Sequence, residues 1–294
     1  MPRPGQGEAL VAWALWGATA LAVLVTYSRL DPAELYHTSH DGLAGGLSRS
    51  FVLLNFPLAL VAIALVLVAV GALSGAAWWV AGAAIALCAI VAWPGVVDQD
   101  DLDARPINVV PALGVLLALA LTMLAARRAG ASFAPRLFGD HVRIAAGAVV
   151  IVLSLPWVAA ELGFHLPGDV FLGEEPYREK DGTVLAAVHL GHHHGLDGAL
   201  LVLTALLLSR PRPAGRRLRA ALAAYLGLMF AYGAVNFAQD LWLEQVVKRG
   251  WTDASIPSAL VPGARPIWLV ILALAALATF GLLRERDRVA ARTS

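Results

Sequence analysis

Long apolar runs alternate with short polar connections along this chain, and the pattern predicts helices throughout. Eight runs reach or approach the roughly 20 residues that a spanning helix needs: 9–27, 51–73, 76–94, 107–126, 142–160, 184–208, 220–237 and 267–283. The weakest divide is between the second and third, where only Ser74 and Gly75 intervene. The first run lacks a small-x-small cleavage pattern before Ser28-Arg29, so it is expected to be a retained helix rather than a signal peptide. The expected architecture is all-α: a polytopic integral membrane protein of eight transmembrane helices in a single membrane domain, 1–294.

Charge orients the helices. With the N-terminus in the cytoplasm, one side receives Arg3, Arg127, Arg128, Arg136, Arg143, five arginines of 210–219 and four of 284–292, which is 14 of the 22 basic residues. The other side receives nearly all of the acids. By the positive-inside rule the chain is N-in and C-in in the plasma (cytoplasmic) membrane. An even helix count satisfies this.

Two pairs of stretches repeat. H-x-G-L-x-G-x-L occurs at 40–47 and again at 193–200, and Ala-Arg-Pro-Ile occurs at 104–107 and 264–267. Their shared order predicts a duplication of four plus four helices, about 1–130 and 131–294. Each half has an even number of helices, so the repeat is parallel, about an axis along the membrane normal. His40 would then be equivalent to His193, Asp100 to Asp240, and Arg105 to Arg265.

Composition agrees with a membrane protein: 59% of residues are hydrophobic, and the mean hydropathy is +0.70. A net charge of +1 gives no reason to expect nucleic acid as a partner; the expected partners are the bilayer and a lipid-linked substrate. The single cysteine, Cys88, excludes an intrachain disulfide.

Chemistry concentrates at 189–198, His-Leu-Gly-His-His-His-Gly-Leu-Asp-Gly, where four of the eight histidines fall. On a continuous helix His189, His193 and Asp197 share one face, with His192 beside them, while Gly191, Gly195 and Gly198 form a second face open to close approach. Asp197 would stand ~18 Å above the inner end of its helix at ~1.5 Å per residue. A carboxylate there costs ~2.5–3.5 kcal/mol on insertion scales, and such residues are usually functional. Imidazole with carboxylate is a ligand set for a divalent transition metal, zinc or iron foremost. The expected ligands are His189, His193 and Asp197, with His192, His40 and His37 in reserve. Tyr232, Asn236, Asp240 and Glu244 follow at i+4 as a polar stripe on the seventh helix. From that stripe and the end of the fifth helix, Asp240 or Glu161 would act as base or as a carboxylate supporting the ligands. The loop acids Asp98, Asp100, Asp101 and Asp103 read first as a solvated loop and second as a hard-cation site.

His189-x-x-His192-His193 resembles, over five residues, the HxxHH box of membrane di-iron desaturases and hydroxylases. Those families carry several such boxes, normally on the cytoplasmic side. Here the only other box is His37-x-x-His40, on the outer side with the first, so the resemblance implies no membership.

The expected function is a membrane-embedded metalloenzyme acting from the outer face on a lipid or lipid-linked molecule, hydrolysis being preferred to oxidation. A transporter or metal-handling permease is the alternative; the duplication favours it, and the apolar inner halves of the helices oppose it. A haem protein with opposed histidines is a second alternative.

Overall fold

The computed structural model describes residues 6–35, 37–98, 101–166, 176–178, 182, 184–186, 188–211, 213, 215–260 and 263–293. Among them the chain forms α1 (Gly7–Arg29), α2 (Gly42–Asn55), α3 (Pro57–Ala69), α4 (Ala77–Ala89), α5 (Val109–Ala129), α6 (Asp140–Glu161), α7 (His194–Leu208), α8 (Arg216–Trp242) and α9 (Ile267–Thr293). A small antiparallel hairpin, β1 (Pro176–Arg178) with β2 (Val184–Ala186), lies in the α6–α7 connection.

Five helical segments are long and apolar enough to cross a membrane, and a sixth crossing results if α2 and α3 together make one bent span. The eight expected runs differ from this in three places. The run 51–73 is broken between Phe56 and Pro57: the chain bends by 46°, and α2 begins earlier, at Gly42. Proline has no N–H to continue α2 and restricts the residue before it, but it suits the first turn of α3. The run 184–208 is helical only from His194; its first part is β2 and an extended segment. Gly191 stops it with φ +101°, a left-handed conformation that a helix cannot contain. α7 therefore has only 15 residues, and α4 is also short.

The core sits on α3. Eleven of its residues, Pro57 to Ala69 with Leu60 and Leu67 excepted, are buried. Such a helix, apolar all round, belongs at the centre of a bundle. The flanks are different: α6 exposes Ile144, Val149, Val152 and Leu155, and α9 exposes Leu269, Leu272, Leu277 and Phe280. Large apolar side chains turned outward on two long helices fit a lipid-facing surface. Between helices, small residues permit backbone approach. A Cβ on Gly198 would lie 2.6 Å from the Gly233 carbonyl oxygen, so α7 and α8 cross here at a distance that only glycine permits.

One end of the bundle is tied by charge. Arg210 bonds Glu8 at 2.8 Å and Asp140 at 3.3 Å, and Arg143 bonds the Ser209 hydroxyl at 2.8 Å. These contacts join the N-termini of α1 and α6 to the C-terminus of α7. The histidines of 189–194 lie at the other end, where α1, α6 and α8 finish and α7 begins.

Candidate metal centre

The scaffold of the site starts with two helix ends. α6 finishes in a left-handed glycine cap: Phe164 N–H donates to the Ala159 carbonyl at 3.0 Å and Gly163 N–H to Ala160 at 2.9 Å, with Gly163 at φ +72°. Glu161 is held just inside that cap. The following strand of chain crosses the end of α6 in an extended form. Gly191 N–H donates to the Ala160 carbonyl at 2.9 Å, and His192 N–H donates to the Tyr27 hydroxyl at 3.1 Å. A Cβ on Gly191 would meet that hydroxyl at 2.8 Å, so close packing as well as φ requires glycine.

Extended backbone at His193 (φ −107°, ψ 146°) then turns into α7. The Gly195 amide donates to Asp240 Oδ2 at 2.7 Å. A carboxylate is thus received at the positive end of α7, as the helix dipole favours. His194 Nε2 stands 3.1 Å from Asp240 Oδ1 and 2.7 Å from Gln239 Oε1.

The histidines divide into two systems. In the first, His192 bridges two buried carboxylates. Its Nδ1 donates to Glu161 and its Nε2 donates to Asp197 Oδ1 at 2.6 Å. With both ring nitrogens donating, His192 is an imidazolium and offers no lone pair to a metal.

In the second system, the rings of His189 and His193 stack, centroids 4.2 Å apart and nearly parallel. His193 Nε2 donates to the His189 carbonyl at 2.8 Å, and His189 Nδ1 donates to the Leu190 carbonyl at 3.0 Å. A carbonyl can only accept, so these nitrogens carry the protons, and the lone pair of each neutral ring lies on the other nitrogen. For His193 that is Nδ1, which faces Glu244 Oε1 at 3.2 Å. Two acceptors so close need a cation between them, a proton or a metal ion. His189, His193 and Glu244 each offer one ligand atom, all within 4.8 Å of one another. With its Nδ1 proton on the Leu190 carbonyl, His189 keeps the Nε2 lone pair of a neutral imidazole, the form that ligates.

Glu244 occupies a π-helical turn, Leu243–Val247, that continues α8. Such turns insert a residue and re-aim side chains, often at functional sites. Its second oxygen accepts from the Trp157 indole N–H at 3.0 Å, and Lys248 Nζ stands 3.8 Å from the first. The carboxylate is therefore held from α6 as well as from α8.

These groups line a cavity of about 300 Å³, whose wall also carries Arg49, Asp98, Asp103, Arg105 and Lys248. The sequence-derived ligands are redistributed around it. His189 and His193 do come together, but through an extended loop instead of a helix face. Asp197 faces His192 and not the other two. His40 lies in the loop before α2, bound to Asp103 at 3.1 Å with its side chain 57% exposed. His37 adopts φ +47° in the same loop, and its carbonyl accepts from Leu102 N–H. Asp240 lines the cavity. Glu161 reaches the centre only through His192. Asp100 lies outside the described residues.

Glu244 is a candidate ligand outside the set expected from the sequence. It belonged to the i+4 stripe, but its end of α8 also reads as a solvated helix terminus. No protein-family model, no curated protein and no solved structure matches this chain.

Proposed function

We propose that the protein is a membrane-embedded, metal-dependent enzyme acting on a lipid or lipid-linked substrate, with the metal held by His189, His193 and Glu244. The observation that carries this reading is the donor set: one buried and one partly buried imidazole of fixed tautomer and one buried carboxylate converging at a cavity wall. Two histidines and one carboxylate with a position left over are the ligands of catalytic zinc sites and of non-haem iron sites. A metal there supplies a bound water that ionises near neutral pH. Hydrolysis is the reaction we favour.

The chain's own groups would do the rest. Asp240, fixed by the Gly195 amide and His194, is the carboxylate placed to take a proton. The Glu161–His192–Asp197 bridge positions the loop that presents both ligands, because His192 and His193 are adjacent. The stacked, side-by-side rings of His189 and His193 do not resemble opposed axial haem ligands. The ion-paired end at Glu8, Arg210 and Asp140 offers no support for a permeation path.

Eight crossings, the four-plus-four repeat and the N-in, C-in orientation in the plasma membrane belong to the same proposal. H-x-G-L opens both α2 and α7, and Arg-Pro precedes both α5 and α9, which supports the repeat. The matched glycines have different neighbours, however. Gly45 faces the carbonyls of His40 and Tyr27, whereas Gly198 faces α8.

Elemental analysis of the full chain purified without chelators tests the centre. About one equivalent of zinc or iron is expected in the wild type and in His141→Ala, and little in Glu244→Ala. A wild type without transition metal, or a Glu244→Ala variant that retains it, would overturn the assignment.

A further inference from the structure

Among the charged side chains that line the polar cavity, Arg49 is exceptional. The acids each have a partner: Asp98 on Arg105, Asp101 on the Asp103 amide, Asp103 on Ser39 and His40, Asp197 on His192, Asp240 on Gly195 and His194, Glu244 on Trp157 and His193. Arg49, on α2, is 8% exposed, and among the described residues no carboxylate stands within ion-pair distance of it. Its Nε is buried without a hydrogen-bond partner. Its one close electrostatic neighbour is the Tyr27 ring, 5.8 Å from the guanidinium carbon. A buried guanidinium is costly unless an anion meets it, and its planar fork suits an oxyanion.

A second cavity adjoins the first. It has about 270 Å³, is almost wholly apolar, and shares Phe56 and Leu260 with the polar one. Its far side is formed by α8 through Tyr225 and Leu228 and by α9 through Trp268, and its rim includes the exposed Ala89, at the end of α4, and Ala92. The opening therefore lies on the apolar flank of the bundle. Apolar space adjoining a polar cavity with a buried arginine is complementary to an amphiphile.

We propose that the two cavities form one binding site for a single-chain amphiphile with an oxyanion headgroup. Arg49 receives the headgroup beside the metal centre, and the chain lies past Phe56 and Leu260 in the apolar cavity. This deepens the proposed function by naming its substrate class and rests on that reading for the reaction, though not for the binding.

The test uses the full chain in phosphatidylcholine nanodiscs and radiolabelled dodecyl phosphate, with binding read above empty nanodiscs and metal content measured on the same samples. Saturable binding is expected, with competition by unlabelled dodecyl phosphate far stronger than by dodecanol or inorganic phosphate. Arg49→Gln should weaken it by about tenfold or more, as loss of a charged hydrogen bond does, while metal content stays at the wild-type level. Arg49→Lys should restore part of it, which separates charge recognition from misfolding. Ala92→Phe, at the rim of the apolar cavity, should weaken dodecyl phosphate and leave competition by inorganic phosphate unchanged. Wild-type affinity in Arg49→Gln, or dodecanol competing as well as the phosphate ester, overturns anion recognition. Inorganic phosphate competing as well as the ester overturns the chain site and leaves a free anion as the ligand. Arg49-dependent binding to a metal-free wild type would uphold this site while the metalloenzyme reading failed.

Discussion

His189 and His193 stack face to face at 4.2 Å, and yet no helical turn joins them. The spacing i, i+4 found the right pair for the wrong reason. Helix periodicity would have added Asp197 to the pair. The left-handed Gly191 and the extended His193 instead bring Glu244 to it from α8 and turn Asp197 toward His192.

The two candidate ligand sets are therefore distinguishable by substitution. Asp197→Asn is expected to keep bound metal and Glu244→Gln to lose most of it, as measured by elemental analysis of equal amounts of folded protein. The opposite pattern would restore the helix-face ligand set.

His192 sits between two buried carboxylates, so removing it leaves both without their cation. His192→Leu is expected to cost ~3–5 kcal/mol, the usual consequence of stranding one side of a buried ion pair. Thermal unfolding in nanodiscs measures this. Adding Glu161→Gln and Asp197→Asn to the same chain should recover much of the loss, since uncharged partners have no stranded charge. No recovery in the triple variant would mean that His192 stabilises by packing alone.

Gly195 and Gly17 make a matched pair of helix glycines. A Cβ on Gly195 would fall 2.5 Å from both Asp240 Oδ2 and the Trp157 ring, whereas one on Gly17 meets nothing within 4 Å. Gly195→Ala is expected to destabilise by ~1–3 kcal/mol or more; Gly17→Ala should be neutral or slightly stabilising. Equal melting temperatures for the two variants would contradict the packing at the N-terminus of α7.

The loop before α2 is pinned by Asp103. Burial would raise its carboxyl pKa, but hydrogen bonds from Ser39 and His40 outweigh burial and lower it. A depressed folded-state pKa gives stability that is present above the ordinary aspartate range and is lost as pH falls through the folded value. Asp103→Asn should therefore melt below the wild type at pH 7, and the gap should close toward pH 3. A gap independent of pH would assign the effect to shape instead of charge.

Orientation can be read by thiol labelling on a Cys88→Ala background. Arg217→Cys is expected to react only after the cytoplasmic side is opened, and Asp41→Cys from outside in intact cells. Reversed labelling would place the metal centre on the cytoplasmic side.

Much of the bundle was legible because α1, α5, α6, α8 and α9 are long, apolar and bounded by charge. The break at Phe56-Pro57 was also written in the chain, since proline carries its own signal. What hid was tertiary. Val184 to Val188 is as apolar as a helix start, and only Gly191 marks where the helix cannot extend. Arg49 reads as an ordinary helix arginine; its isolation is a fact about neighbours on other elements. The π turn at Glu244 has no sequence mark.

The brevity of α7 has a consequence for where the centre sits. Fifteen helical residues span about 22 Å, against a hydrocarbon slab about 30 Å thick. If α7 crosses the bilayer as proposed, the non-helical segment 188–193 makes up the difference. Irregular backbone survives there only where protein satisfies it, as the Tyr27 hydroxyl and the Ala160 carbonyl do. On that placement the donor set lies below the level of the surrounding lipid headgroups. Bilayer thickness should set how far a substrate must sink or tilt to reach it, so thin and thick membranes would present the same site at different depths.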